Sequence, residues 1–294
     1  MTMVLTLIAG ARGRQTLPHL ASAVAGAAGI TGKPTWLADD ACDFVLDATT
    51  SPPLAEAAAR GVIGDAQIDV LVQPATNRRK RLLVADMEST IIENEMLDEL
   101  AGFIGLRQEV AEITRRAMNG EIDFTAALEA RVSLLAGLPD HVLEKAACRI
   151  RLRDGARQLI ATMRAARAVT ALVSSGFMIF AQVVAVELGF DHVVANRLEL
   201  TAGRVVGTVA SPIVTGESKR QTLLALAADH AVPLDQSMAV GDGANDLPML
   251  AAAGIGIAFH AKPAVASNAQ WRLDHADLTG LLYAQGYRRE EIIA

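Results

Sequence analysis

The sequence predicts an α/β chain in two parts: a small α+β unit over residues 1–75, then a core of parallel strands and helices with a helical insert over residues 80–294. Three observations predict it. Apolar runs at Leu82–Ala85, Val169–Val173 and Met238–Val240 each end in a small or acidic cluster, as strands buried on both faces do. Helical spacing fills most of the stretch from Glu93 to Arg167. The composition shifts at Pro74-Ala-Thr-Asn-Arg-Arg-Lys-Arg81, which places a boundary at residues 74–80.

In chain order, Met3–Ile8 alternates and reads as a strand, and Leu17–Ala28 as an Ala-rich helix ended near Gly29. Pro34–Leu37 and Cys42–Leu46 read as strands joined around Asp39-Asp40. Leu54–Ala59 reads as a short helix and Ile68–Val72 as a last strand. The order β-α-β-β-α-β is that of a sheet with helices on one face. The basic residues Arg78 to Arg81 read as a solvated lead-in to the next strand. In the second part, Met96, Leu97, Leu100 and Ile104, then Ala127, Val132 and Leu135, recur at helical spacing. Arg197–Leu200 and Val205–Val209 flank Ala202-Gly203 as a hairpin, and Gly254–Phe259 is a further strand. Ala168 to Val186 is uncharged and near the length of a membrane span. Thr170, Ser174, Ser175, Gly176 and Gln182 make it a buried strand, a turn and a buried helix instead.

Composition excludes several classes. A chain of 294 residues with 51% hydrophobic and 20% charged residues is not disordered. Aromatics at 4% leave no stacking platform for single strands, and a net charge of −6 disfavours nucleic acid and anionic membranes as partners. Cys42 and Cys148 form no disulfide framework or zinc cluster and read as packing residues, which fits a reduced, cytoplasmic setting. Met1 to Arg14 lacks the pattern of a secretory signal. The six histidines show no ligand spacing.

The chemistry concentrates at strand ends, where open parallel sheets carry their sites. Asp86-Met-Glu-Ser-Thr90 puts two carboxylates two residues apart beyond a strand; helix capping by the same residues is an equal reading. Ser174-Ser175-Gly176 offers a hydroxyl and backbone donors to an anion, or is an ordinary strand-to-helix turn. Gly241-Asp242-Gly-Ala-Asn245-Asp246 is sharper, because its carboxylates suit a hard cation such as magnesium. Lys219 taken alone is a surface lysine.

Together these motifs resemble the phosphoserine phosphatases of the haloacid dehalogenase-like hydrolase superfamily. The family's D-x-D-x-T is similar to Asp86-Met-Glu88-Ser-Thr90 with one change. Ser174, Lys219 and the G-D-x-x-x-D of Gly241–Asp246 follow in the family's order over roughly residues 80 to 285. Glu95, Arg131 and Ala195-Asn-Arg197 match its phosphoserine branch. The resemblance implies a Rossmann-like parallel sheet core with a helical cap at about residues 95–165. The first 75 residues resemble, in element order alone, the small ferredoxin/ACT-like regulatory domains of some members.

The resemblance also implies roles. Asp86 is the nucleophile and Glu88 the acid and base. Magnesium sits on Asp86, Asp242 and the Glu88 carbonyl, with Asp246 orienting its waters. Ser174 and Lys219 hold the transferring oxygens, with Ser175, Gly176 and Asn245 beside them. Glu95 faces the substrate ammonium, Arg131 its carboxylate, and Phe124 closes over it. Met96 and Met118 read as packing or pocket lining. Glu88 is one methylene longer than the family's usual Asp, and an active, compensated acid/base is the reading adopted. The implied activity is hydrolysis of L-phosphoserine to L-serine, the last step of serine biosynthesis. Rival readings are another small phosphomonoester, phosphoryl transfer to an acceptor such as homoserine, and an amino-acid sensor with weakened catalysis. The oligomeric state is open, with a homodimer allowed.

Overall fold

The computed structural model describes residues 2–118 and 121–294, and the Met118 side chain lies outside the described set. The N-terminal unit runs β1 (Met3–Ala9), α1 (Leu17–Ala27), β2 (Thr35–Ala38), β3 (Ala41–Val45), α2 (Pro52–Ile63) and β4 (Ile68–Pro74). Its antiparallel sheet has the order β2-β3-β1-β4. Both helices carry proline in the first turn, where its preset φ fits. Leu17, Ala21 and Val24 of α1, and Ala55, Ala59 and Ile63 of α2, are the buried stripes. Period-2 alternation then splits the strands. Leu5, Leu7, Cys42, Phe44, Val70 and Val72 face the helices in one core. Ile8, Ala41 and Leu71 point the other way, into the core of the second part.

That second face also carries polar residues, all buried. Thr6 donates to Asp43 Oδ1 (2.7 Å). Asp69 accepts from the N–H groups of Asp274 (2.7 Å), His275 (3.2 Å) and Ala276 (2.9 Å). Gln73 donates to Ala284 O (2.6 Å). Arg78 grips Asp43 through two bonds (2.7 and 3.1 Å) and reaches Thr6 and the Ala284 carbonyl. Lys80, 7% exposed, donates to Asn77 O and Asp235 O at 2.8 Å, and burial pushes its ammonium down to about 8. Arg78 and Lys80 are therefore docking residues, whereas the sequence reading had the basic cluster solvated. Arg78's partners lie some 35 to 206 residues away along the chain, beyond the reach of local pattern. Arg78→Ala strips a buried carboxylate of its partner, so it should cost ~1.5–3 kcal/mol in urea unfolding. It should also speed proteolysis in the 74–80 connection; an unchanged midpoint would mean the two parts do not depend on this clamp.

The second part continues with β5 (Leu82–Ala85), α3 (Met96–Phe103), α4 (Arg107–Met118), α5 (Phe124–Ser133), α6 (Asp140–Ala147) and α7 (Ala156–Ala165). Then come β6 (Val169–Phe177), α8 (Met178–Leu188), β7 (His192–Asn196), β8 (Leu198–Thr201) and β9 (Arg204–Val209). The chain closes with α9 (Gly216–Asp229), β10 (Ser237–Gly241), α10 (Leu247–Ala252), β11 (Ile255–Phe259), α11 (Pro263–Ala266), β12 (Trp271–Leu273) and α12 (Gly280–Ala284). Six strands form a parallel sheet in the order β12-β11-β10-β5-β6-β7. From β5 the chain crosses first to β6 and later to β10 on the other side, which opens a crevice beyond β5. The uncharged stretch after Ala168 forms β6 and α8, and among the described residues no helix is long and apolar enough to cross a membrane.

Helices α3 to α6 form the insert. Its two connections pair with each other: Ile92 bridges Leu152, Glu93 N–H donates to Arg151 O and Arg153 N–H to Ile91 O, both at 2.9 Å. Helix α7 packs on β6 and α8, so it belongs with the sheet, and the insert stops well short of residue 165. The β8–β9 hairpin turns at Ala202 (φ 49°) and Gly203 (φ 71°), the two left-handed residues of a type I′ turn. It packs on α5 of the insert. Short edge strands β7 and β12 were absent from the sequence reading, because three to five residues carry too little pattern.

Candidate active site

The site lies where β5, β6 and β10 end. β5 and β10 are buried throughout and β6 from Thr170 to Ser174, so the polar side chains at their ends emerge together in the crevice. Asp86, Asp242 and Asp246 bring carboxylate oxygens within 4.8 Å of one another. Lys219, from the first turn of α9, is 0% exposed. Its Nζ bonds Asp86 Oδ1 and, at 2.7 Å, Asp246 Oδ1. Thr215 caps that helix by accepting from Ser218 N–H, which fixes the turn that aims Lys219 inward. Asp246 Oδ2 accepts from Gly243 N–H (2.9 Å), and Thr90 Oγ1 reaches Asp242 Oδ1 (3.4 Å).

Two of the three carboxylates thus share one buried ammonium. Burial, with the charges of Asp246 and Asp242, pushes Asp86 well above the usual carboxylate range against the pull of Lys219. Burial first, then Asp246 and Glu95, push Asp242 up to about 6, while Lys262 at 3.8 Å pulls it down. Burial opposes the charge on Lys219, but Asp246 and Asp86 outweigh it and hold the ammonium above its ordinary range. An excess of buried carboxylate oxygen with raised proton affinity is the donor set of a hard divalent cation, and these residues fit one. Protons compete for the same oxygens. Cation affinity should therefore fall as pH drops through about 6, the value to which Asp242 is raised. Titration calorimetry in two buffers would show proton release; a flat pH profile would remove Asp242 from the ligand set.

Beside the carboxylates, Ser174 (1% exposed) accepts from Gly176 N–H at 2.9 Å, and Asn245 donates to Ser175 Oγ at 3.3 Å. The predicted turn is the irregular last part of β6, and buried Asn196 props it from behind, donating to Ser175 O (2.7 Å) and accepting from Val214 N–H (2.8 Å). Glu88 turns toward the insert, where its Oε1 accepts from Met96 N–H at the start of α3 (2.8 Å). A Cβ on residue 176 would stand 2.7 Å from Glu88 Oε2, so Gly176 leaves the room that the longer side chain occupies. Burial, then the charge of Glu95, pushes Glu88 up to about 8.

The insert supplies the remaining residues. Glu95 is exposed at the start of α3 and accepts from Ser89 Oγ (2.8 Å). Arg131, on α5, donates to Ala127 O (3.1 Å) and faces the charges of Glu88, Asp98 and Glu95. Burial pulls its guanidinium below the ordinary range. Phe124, half-buried at the start of α5, packs on the core and makes no polar contact with this group. Met96 is fully buried. Cys42 is buried with its thiol pushed up to about 12, while Cys148 is exposed rather than packed. Two residues were missed. Lys262 follows β11, and its signal was a cation just beyond a fourth strand end. Arg153 donates from Nε to Ser89 O (3.1 Å), holding the loop after the nucleophile candidate in place, and nothing local in the sequence marks it.

The profile of the haloacid dehalogenase-like hydrolases matches residues 83–251. A phosphoserine phosphatase of Streptococcus thermophilus is 45% identical over 199 residues, covering 68% of this chain and 93% of that protein. Longer phosphoserine phosphatases of Streptomyces coelicolor, Mycobacterium tuberculosis and Archaeoglobus fulgidus are 41–42% identical, and this chain spans only 58–63% of their length. A HAD family hydrolase of Salmonella enterica serovar Typhi superposes with a TM-score of 0.86 at 28% identity, covering 96% of this chain and 98% of that one. A phosphoserine phosphatase solved as a phospho-aspartyl intermediate analogue gives a TM-score of 0.66 at 38% identity over 70% of this chain and 98% of that one. With these matches and the carboxylate–lysine cluster at the ends of β5 and β10, the chain belongs to the haloacid dehalogenase-like hydrolase family, where it is most like phosphoserine phosphatases.

Proposed function

We propose that the protein hydrolyses L-phosphoserine to L-serine and phosphate through an aspartyl-phosphate on Asp86, in the cytoplasm and as the last step of serine biosynthesis. The observation that carries this reading is the buried Lys219 shared by Asp86 and Asp246 beyond the ends of β5 and β10. Relatives named for this activity support it, as does a similar structure with an analogue of the aspartyl-phosphate.

Asp86 Oδ1 is held by Lys219, so the remaining oxygen, Oδ2, is free to attack phosphorus as the bond to the seryl oxygen breaks. Glu88, with its proton affinity raised to about 8, is protonated at neutral pH and gives its proton to that leaving oxygen. The resulting carboxylate then takes a proton from the water that attacks phosphorus. The bond from phosphorus to Asp86 breaks, phosphate leaves and Asp86 is restored. Lys219 and the Ser174–Gly176 donors stabilise charge on the transferring oxygens. Asp86, Asp242 and the Glu88 carbonyl would hold magnesium, with Asp246 orienting its waters, and the ion would supply the charge that lets a phosphate dianion approach buried carboxylates. The insert covers the site and limits water during the first step.

Glu95 and Arg131 choose the substrate. An ammonium needs the carboxylate, and a carboxylate needs the planar fork of an arginine. Phosphate release from L-phosphoserine with magnesium tests the reaction, and Arg131→Ala tests the specificity. The variant should raise KM for phosphoserine ~10–100-fold, the loss of one charge-assisted pair, while barely changing KM for phosphoethanolamine. Equal increases for both would remove Arg131 from carboxylate recognition.

A further inference from the structure

The histidines show no ligand spacing along the chain, yet the fold brings two of them together at the opposite edge of the sheet from the carboxylate cluster. His192 opens β7, paired with Ala171 of β6, and His230 caps the far end of α9, the helix whose first turn carries Lys219. Their Nε2 atoms face each other at 3.1 Å, with the rings inclined at 70°. They are 38 residues apart in sequence, a separation that no local pattern marks. His192 is half-buried and His230 exposed. Both backbones are fixed. His192 sits in the ladder with β6, and His230 N–H donates to Leu226 O (3.1 Å) just before the left-handed Ala231 (φ 49°). Among the described residues, the only hydrogen-bond partner of each ring is the other ring, so both Nδ1 atoms are open. Beside the pair lies an open cleft of about 400 Å³, lined by Arg164, Arg167, Asp191 and His230. Asp191 is already engaged. Its Oδ2 accepts from Thr170 N–H and Oγ1, each at 2.9 Å, and its Oδ1 faces Arg164 Nε at 3.9 Å.

Two imidazoles on one ion, at metal–nitrogen bonds of about 2.0–2.1 Å and an angle between square and tetrahedral, set their nitrogens about 2.8–3.4 Å apart. The pair stands in that range before any ion arrives. Without an ion, one Nε2–H donates to the other Nε2. A neutral imidazole carries its proton equally well on Nδ1. The donor ring then releases its Nε2 proton to water and takes one on Nδ1, and both Nε2 lone pairs become ligands. The carbonyl end of α9 adds partial negative charge beside His230, which favours a cation there. Magnesium prefers oxygen and would meet the guanidiniums of Arg164 and Arg167, whereas zinc, copper and nickel suit imidazole. We propose that His192 and His230 bind a first-row divalent ion such as zinc, with water or a small anion in the cleft completing its shell. The ion would clip the start of β7 to the end of α9. The other ends of these elements carry Asn196 and Lys219. The inference stands on the histidine pair and does not depend on which phosphate ester the catalytic site takes.

Zinc titrated calorimetrically into the full chain, free of any affinity tag and with excess magnesium present, tests it. The parent should show a zinc-binding event that His192→Asn and His230→Asn each weaken by at least ~10–100-fold, the loss already seen when only a residue behind a ligand is removed. Asp242→Asn, in the carboxylate cluster, should keep that event. Copper(II) in place of zinc should give a paramagnetic resonance spectrum with two imidazole nitrogens in the parent and at most one in either variant. Zinc should also raise the melting temperature of the parent more than that of either variant. Without added metal the variants should melt with the parent, because both changes lie at the surface. The parent's copper spectrum decides the case even if a variant folds poorly. The proposal is overturned if the zinc event survives both histidine variants, if the parent binds no more zinc than they do, or if the parent spectrum shows fewer than two nitrogens. Loss of the event in Asp242→Asn would overturn it as well, by placing the zinc in the carboxylate cluster.

Discussion

Asp86→Asn should lower phosphate release from L-phosphoserine by on the order of 10⁴–10⁶-fold, the scale seen when a covalent nucleophile is removed. The amide keeps the shape of the carboxylate and can still accept from Lys219, but its oxygen does not attack phosphorus. The fold should not suffer. Burial and two neighbouring carboxylates already disfavour the charged form of Asp86, so a neutral side chain relieves repulsion. In a chelator the variant should melt at or above the temperature of the parent chain. Rate and stability thus move independently, and a variant that kept a tenth of the parent rate would exclude Asp86 as the nucleophile.

Lys219→Met should cost about 3–5 kcal/mol in urea unfolding with chelator at neutral pH, because it leaves buried carboxylates without their cation. Methionine keeps most of the volume, so the loss reports charge and not a cavity. The sign of the pH dependence follows. Lys219 is held above its ordinary range, so its contribution is complete throughout neutral pH and fades only in strong alkali. In the variant, Asp86 binds protons more tightly folded than unfolded. The deficit is therefore greatest at neutral pH and shrinks as pH falls toward about 4. Magnesium should restore part of the loss by replacing one cation with another. A deficit that stayed constant from neutral to acid pH would mean that packing, not charge, is what Lys219 provides.

Much of the site was legible along the chain. Asp86, Ser174 and Asp242 each follow an apolar strand, and a buried parallel strand must release its first polar residues at one edge of the sheet. Lys219 was not legible from its surroundings. It sits on an exposed-looking helix start, and only the order of the motifs connected it with Asp86, 133 residues away. Glu88 shows the opposite limit. Its extra methylene was visible at once, yet its accommodation depends on Gly176 from β6 and on the free N–H of Met96 at the start of α3. Neither is a neighbour in sequence.

The docking of the first part was the least legible feature. Thr6, Asp43, Asp69 and Gln73 alternate with core residues, as solvent-facing positions of a one-sided sheet do. Period-2 pattern reports only that they share a face. Tertiary contact decided that this face meets a second domain, with Arg78 and the N–H groups of residues 274–276 as its partners. The sequence by itself determined the α/β class and the strand ends that carry chemistry, since these follow from periodicity and burial over a few consecutive residues. The tertiary structure alone decided which charges share a buried partner, where Glu88 rests and what lies between the two parts. Those depend on distances between segments far apart in the chain, which local propensity does not encode.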